Sequence, residues 1–187
     1  MDQKKRASAI EMLMIGLKLL IVCAVVAAVV SGVNAMTDER YRENIREQKR
    51  MAIAEIYAGE TILYKELSSN GSEVVYEVTA GDSLVGYCVE VVTSGFGGDI
   101  TMMVGFGADG RVKGVSIVSM SETPGLGSKA GEAAFLSQYK DQAGMLTLGE
   151  DVDAITGATI SSRAVTDGVN KAVAALERQL SGGVANE

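Results

Sequence analysis

The segment DAITGATISS, Asp153 to Ser162, sets small residues beside hydroxyls in a pattern that could do chemistry. Gly157 and Ala158 permit close approach to the backbone, and Thr159 offers a hydroxyl directly after them. An extended stretch ends here and a helical pattern begins, with Ser161 or Ser162 as a natural N-cap. A helix N-terminus presents unpaired N–H donors and about half a positive charge. Donors, a hydroxyl and little steric bulk together suit a phosphate. The same residues equally suit a Ser/Thr-rich helix start that binds nothing.

Composition narrows what else the 187-residue chain could hold. It has no histidine, which excludes His-ligated zinc and His-ligated haem. Two cysteines, Cys23 and Cys88, are too few for a disulfide framework or a cysteine-ligated iron–sulfur cluster. No metal ligand set stands out, so redox chemistry would need an organic cofactor. A net charge of −7 and the lack of a basic stripe argue against a nucleic-acid partner. With 47% apolar and only 5% aromatic residues, the core is expected to be built of small aliphatics.

Residues 12–35 read as a transmembrane helix. The run is apolar apart from Lys18 and the polar residues near its end, and about 20 such residues span a bilayer. Lys4, Lys5 and Arg6 precede it, which predicts a cytoplasmic N-terminus (residues 1–11) and an outer, periplasmic face for the rest. Four cations in the first 35 residues stand against Asp2 and Glu11, leaving +2 there and −9 on the remainder. A basic stub and an acidic outer domain fit a single-pass protein of the cell membrane. A cleaved secretory signal is the competing reading, with Val33-Asn34-Ala35 as the cleavage site.

Beyond the span, residues 36–70 are expected to form a membrane-proximal helical segment. Its helix would run Asp38 to Tyr57, capped by Thr37 or Asp38 and mostly solvated, with Tyr41, Ile45, Met51 and Ile56 as sparse contacts. LSSNGSE is expected to turn the chain into a domain over residues 71–180. Strand-like runs follow at Val74–Thr79, Leu84–Thr93, Ile100–Phe106 and Arg111–Ser119, with Asp109-Gly110 the strongest hairpin signal. Short turns between them imply an antiparallel meander. A loop around Pro124 then leads to a short helix over Ser128–Tyr139. The closing helix places Val165, Val169, Val173, Leu176 and Leu180 on one face. Residues 181–187 read as a flexible tail. The fold class is α+β: one N-terminal transmembrane helix, then an antiparallel-sheet domain with flanking helices.

Three segments in order resemble the FMN-binding domain family. DAITGAT, Asp153 to Thr159, is similar to its flavinylation motif; SETPGLG, Ser121 to Gly127, to its Glu-Thr-Pro-Gly-Leu-Gly loop; and SGFGGDI, Ser94 to Ile100, to its Gly-aromatic-Gly-Gly turn. Within that family, the size and single anchor resemble the G subunits of Rnf-type electron-transport complexes, with the C subunit of the sodium-pumping NADH:quinone oxidoreductase as a cousin. Where many members carry a histidine before the Glu-Thr-Pro loop, this chain has Met120-Ser121.

The resemblance implies covalent FMN, joined to Thr159 by a phosphodiester and installed by a separate flavin transferase that uses FAD and a divalent metal. It implies that Asp153 is read by that transferase or orients the loop, and that Thr156, Gly157 and Ala158 face the phosphate. Glu122, Thr123 and Leu126 would wall the isoalloxazine, with Gly125 and Gly127 freeing the loop to curl against it. The turn around Phe96 reads as structural and Lys129 as solvated. No catalytic residue is assigned. The function implied is an electron carrier among the membrane subunits of an Rnf-type, ion-translocating ferredoxin:NAD oxidoreductase. Two alternatives stay open: an anchored ligand-binding or sensor domain without covalent flavin, and a self-standing flavin reductase.

Overall fold

The computed structural model describes the backbone of residues 2–57, 62–71 and 73–183, and the side chains of residues 14–32, 43–57, 62–71 and 73–182. The chain divides into two compact units, residues 1–46 and 47–187. A helix, α1 (Asp2–Ile56), begins in the first and ends in the second. Its Met14–Gly32 stretch has a mean hydropathy of 2.6 and none of it is covered by protein, so it is long and apolar enough to cross a membrane. The expected helix start at Thr37 or Asp38 does not occur. The helix runs through because residues 2–56 contain no proline, and each backbone N–H continues to find its acceptor four residues back. Tyr41, expected to make a contact, has a side chain outside the described residues.

In the second unit, five strands form one antiparallel meander in chain order: β1 (Ile62–Asn70), β2 (Glu73–Ala80), β3 (Ser83–Ser94), β4 (Asp99–Gly107) and β5 (Val112–Met120). The last four coincide with the expected runs to within a residue or two. β1 does not: residues 62–70 were expected in a helical segment and a turn. LYKELSS lacks an apolar alternation because its side chains are largely exposed on both faces of the sheet, and pairing with β2 rather than local pattern makes it a strand.

Side-chain alternation gives the sheet two buried faces. On one face Val75, Val89, Val91, Met102, Val104 and Phe106 pack under the last helix, α3 (Thr159–Gly183), against its Val165, Val169, Val173 and Leu176. Leu180, expected on that face, is 45% exposed because the helix has passed the sheet by then. On the other face Val78, Cys88 and Met103 meet Ala52, Ile53 and Tyr57 at the end of α1. That end was expected to be mostly solvated, with Met51 and Ile56 in contact; Ile56 packs partly buried against this cluster, Met51 is exposed, and Ile53 and Tyr57 are 1% exposed. Gly105 on β4 makes room for it: a Cβ there would sit 3.3 Å from the Tyr57 ring and closer still to Ile56. The Tyr57 hydroxyl lies 2.6 Å from the Tyr87 carbonyl and 3.0 Å from that of Phe106.

The segment from Ser121 to Ala158 wraps the end of β5 and returns to α3. The expected helix over Ser128–Tyr139 is broken into a 3-10 turn (Gly127–Gly131), a single α turn, α2 (Ala133–Leu136), and another 3-10 turn (Ser137–Tyr139). Side chains of α3 pin the middle of the segment. The Tyr139 and Thr166 hydroxyls pair at 2.8 Å in the core, and the Asn170 amide exchanges two 2.8 Å hydrogen bonds with the backbone of Leu146. α3 starts at Thr159 rather than at Ser161 or Ser162, and it continues to Gly183 into the expected tail; residues 184–187 lie outside the described residues.

Candidate functional site

Three segments far apart in sequence meet at the N-terminus of α3. The first hydrogen bond of the helix runs from Ser162 N–H to Ala158 C=O at 2.9 Å, so the N–H groups of Thr159, Ile160 and Ser161 come before the helical ladder. Gly157 turns the chain into the helix at φ +80°, a conformation that glycine adopts without strain. The Ser162 hydroxyl accepts from Ile155 N–H at 3.1 Å and donates to Ala158 C=O at 3.0 Å. Ser162 thus braces the turn from inside the helix instead of capping its end.

A cavity of about 280 Å³ opens beside this turn. The motif residues Gly157, Ala158 and Thr159 form one side, and Glu122, Thr123, Leu126 and Gly127 form another. Phe96, Ile160 and Ser161 complete it. Thr159 is exposed at its rim. Phe96, Ile160 and Leu126 are large apolar side chains left 70%, 55% and 45% exposed. Lone exposed apolar residues are ordinary, but three around one cavity mark a binding surface. The site has an anion-accepting end, made of helix N–H groups, next to an apolar end. That donor set fits a phosphate joined to a flat aromatic ring.

Glu122 links the segments. Its Oε1 accepts from Phe96 N–H at 2.7 Å and Gly97 N–H at 3.3 Å; its Oε2 accepts from the Ser161 hydroxyl at 3.0 Å. Phe96 stands at the tip of the β3–β4 turn, which is closed by Gly95 N–H to Gly98 C=O at 2.8 Å. Gly127 is required here for space: a Cβ would lie 2.5 Å from Glu122 Oε2 and 2.7 Å from Ser161 Oγ.

Seven of the ten residues named from sequence line this cavity. The other three do not. Gly125 sits in the preceding turn at φ +74°, its N–H donating to Ser128 Oγ at 2.9 Å. Thr156 is exposed on the turn before Gly157. Asp153 is exposed and lines a separate cavity of about 290 Å³ with Lys129 and Glu132, its backbone held by both ends of the Gln138 amide. Phe96, Ile160 and Ser161 were not named as site residues. Phe96 was read as structural because a glycine-rich hairpin tip explains itself locally. Among the described residues, the Glu122 hydrogen bonds link that tip to α3.

Residues 95–174 match the FMN-binding domain family. The chain is 42% identical over 111 residues to the G subunit of the proton-translocating ferredoxin:NAD(+) oxidoreductase complex of Clostridium ljungdahlii, covering 56% of this chain and 60% of that one. It is 32% identical over 157 residues to the G subunit of the Na(+)-translocating ferredoxin:NAD(+) oxidoreductase complex of Acetobacterium woodii, covering 79% and 67%. Identity to the G subunit of the ion-translocating oxidoreductase complex of Methanosarcina acetivorans is 32% over 172 residues, covering 83% and 92%. Among solved structures, NqrC of Shewanella oneidensis aligns with a TM-score of 0.45 and 25% identity over 52% of this chain and 53% of that one. With an FMN-binding domain across its site and a match along 92% of the Methanosarcina protein, the chain belongs to the G-subunit family of ion-translocating oxidoreductase complexes.

Proposed function

We propose that this protein is a membrane-anchored electron-carrier subunit of an Rnf-type, ion-translocating ferredoxin:NAD oxidoreductase, working through FMN joined to Thr159. The observation that carries the reading is the placement of Thr159 at the rim of a half-apolar cavity, in the first turn of α3.

Bound FMN supplies one- and two-electron transfer. Each side chain then has a defined task. The N–H groups of Thr159, Ile160 and Ser161 receive the phosphate, and Gly157 lets it approach the backbone. Attachment forms a bond from Thr159 Oγ1 to phosphorus, releases the hydroxyl proton and, with FAD as donor to a flavin transferase, breaks the pyrophosphate and releases AMP. Leu126, Phe96 and Ile160 offer the ring an apolar wall. The cavity lies just below the ~300–1,000 Å³ range of drug-sized ligand pockets, so much of a flavin would stay outside it, open to a redox partner. A covalent link suits a carrier on the outer face of the membrane, where lost FMN is not readily replaced. Asp153, exposed and turned to its own cavity, would serve the transferase instead of the flavin.

The test is intact-mass analysis and denaturing-gel fluorescence of protein from its native membrane. The expected protein carries the mass of FMN less water on the peptide over residues 156–162, and Thr159→Ala removes both mass and fluorescence. An unmodified peptide, or flavin that leaves on acid precipitation, overturns the covalent reading.

A further inference from the structure

We propose that Glu122 is a positioning residue that fixes the Phe96 ring as one wall of the flavin site; this rests on the flavin reading above. Both carboxylate oxygens are committed to protein donors. Oε1 takes the N–H groups of Phe96 and Gly97, and Oε2 takes the hydroxyl of Ser161, itself 2% exposed. The carboxylate fills a slot shaped for it: a Cβ on Gly127 would stand 2.5 Å from Oε2, and one on Gly95 would overlap Oε1. Glu122 lines the cavity, yet both its carboxylate oxygens are turned to protein donors on the two segments it holds together.

The tip it holds also closes on itself through Gly95 N–H to Gly98 C=O and packs Gly97 on the Ser121 backbone, but none of these contacts grips the ring. Phe96 belongs to neither buried cluster, and its ring is 70% exposed at the tip of a turn with glycine at 95, 97 and 98. Such a tip has wide backbone freedom. The only side chain that accepts from its backbone among the described residues is Glu122. Ser161 lies two residues beyond Thr159 in the same helical turn. One carboxylate thus ties an aromatic side chain on a hairpin to the turn that carries the attachment hydroxyl.

The geometry separates tethering from charge. In Glu122→Gln the amide oxygen can accept from Phe96 and Gly97 while the NH₂ donates to Ser161 Oγ, so the tether survives without the charge. Glu122→Ala removes both. The measurement is collisional quenching of flavin fluorescence by acrylamide, a neutral quencher, on the full flavinylated chain. Quenching should rise severalfold in Glu122→Ala and Phe96→Ala, rise no further in the double variant, and stay near wild type in Glu122→Gln. Additive effects in the double variant, or a Glu122→Gln that behaves as Glu122→Ala, overturn the proposal.

Hydrogen exchange at the Phe96 and Gly97 amides gives a readout independent of flavin. These amides should be protected in wild type and in Glu122→Gln and exchange fast in Glu122→Ala. Equal exchange in all three overturns the tether whether or not Thr159 carries flavin. Should Glu122→Ala not fold, Ser161→Ala cuts only the helix side, and it should raise quenching by acrylamide while keeping both amides protected; unchanged quenching there also overturns the proposal.

Discussion

Leu126 rests on Gly157: its Cδ1 lies 3.2 Å from the point where a Cβ on residue 157 would sit. The contact brings the Pro124 loop against the turn that leads into Thr159. It exists only because residue 157 has no side chain and holds φ at +80°.

Gly157→Ala should therefore cost more than backbone strain alone. The left-handed conformation costs a non-glycine residue about 1–2 kcal/mol. Pressure on Leu126 adds to this and shifts the turn bearing Thr159. Gly125→Ala is the matched comparison, because φ there is +74° and nothing lies within 4 Å of the added methyl. Thermal unfolding should rank Gly157→Ala below Gly125→Ala, and mass analysis should show less flavin on the former. Equal stability and equal loading of the two would sink the argument.

Truncation should find a sharp boundary at the end of α1. A fragment beginning at Glu47 keeps Ile53 and Tyr57 on the sheet and should unfold cooperatively in water without detergent. One beginning at Ile62 uncovers Val78, Cys88 and Met103. Losing the Ile53 and Tyr57 side chains alone matches large-to-Ala core changes of about 2–5 kcal/mol each. The shorter fragment should aggregate or melt without a cooperative transition. Dye binding and calorimetry distinguish the two.

Cys88 should be silent to thiol reagents in the folded protein. It is 0% exposed beneath the end of α1, and burial, with Glu90 adding to it, pushes its thiol well above the usual range. The thiolate is the reactive form. Maleimide labelling of the Glu47 fragment, which lacks Cys23, should be negligible at neutral pH and become complete in denaturant. Fast labelling of native fragment would mean that α1 does not stay docked.

Alkali should weaken the pairing of Tyr139 with Thr166. Burial is the main cause that pushes Tyr139 up to about 12 from its ordinary 10; the Thr166 hydrogen bond opposes it and Asp167 adds to it. A phenol whose folded value is raised contributes stability that is whole below pH 10 and lost as pH climbs through about 12. Tyr57, Tyr76 and Cys88 are also pushed up and steepen the loss. Tyr139→Phe should cost about 1 kcal/mol at neutral pH for the lost hydrogen bond and lessen the decline above pH 10. Denaturant melts at pH 7 and pH 10.5 check both; an unchanged pH dependence refutes the assignment.

The chain's periodicities announced β2 to β5, the apolar span and the buried face of α3, because each is a local pattern of apolar spacing. β1 and the docking of Ile53 and Tyr57 were missed for one reason. Each lies in a partly solvated stretch, so its pattern is weak, and each is held by a partner distant in sequence: Val78 and Cys88 under Ile53, and β2 beside β1. The break at Gly127–Tyr139 was also hidden, since the sequence there is compatible with helix until Gly127 must pack against Glu122 and Ser161.

By itself the sequence determined which backbone could be approached and which hydroxyl stood beside it, since glycine, alanine and threonine carry those properties wherever they fold. It also determined that a long apolar helix precedes an acidic sheet domain. Tertiary structure alone decided that Phe96, Ile160 and Ser161 join the site and that Asp153, Thr156 and Gly125 stand away from it. The physical reason is direction: spacing along a chain says which residue is near in sequence, while the facing of a side chain follows from what its element packs against.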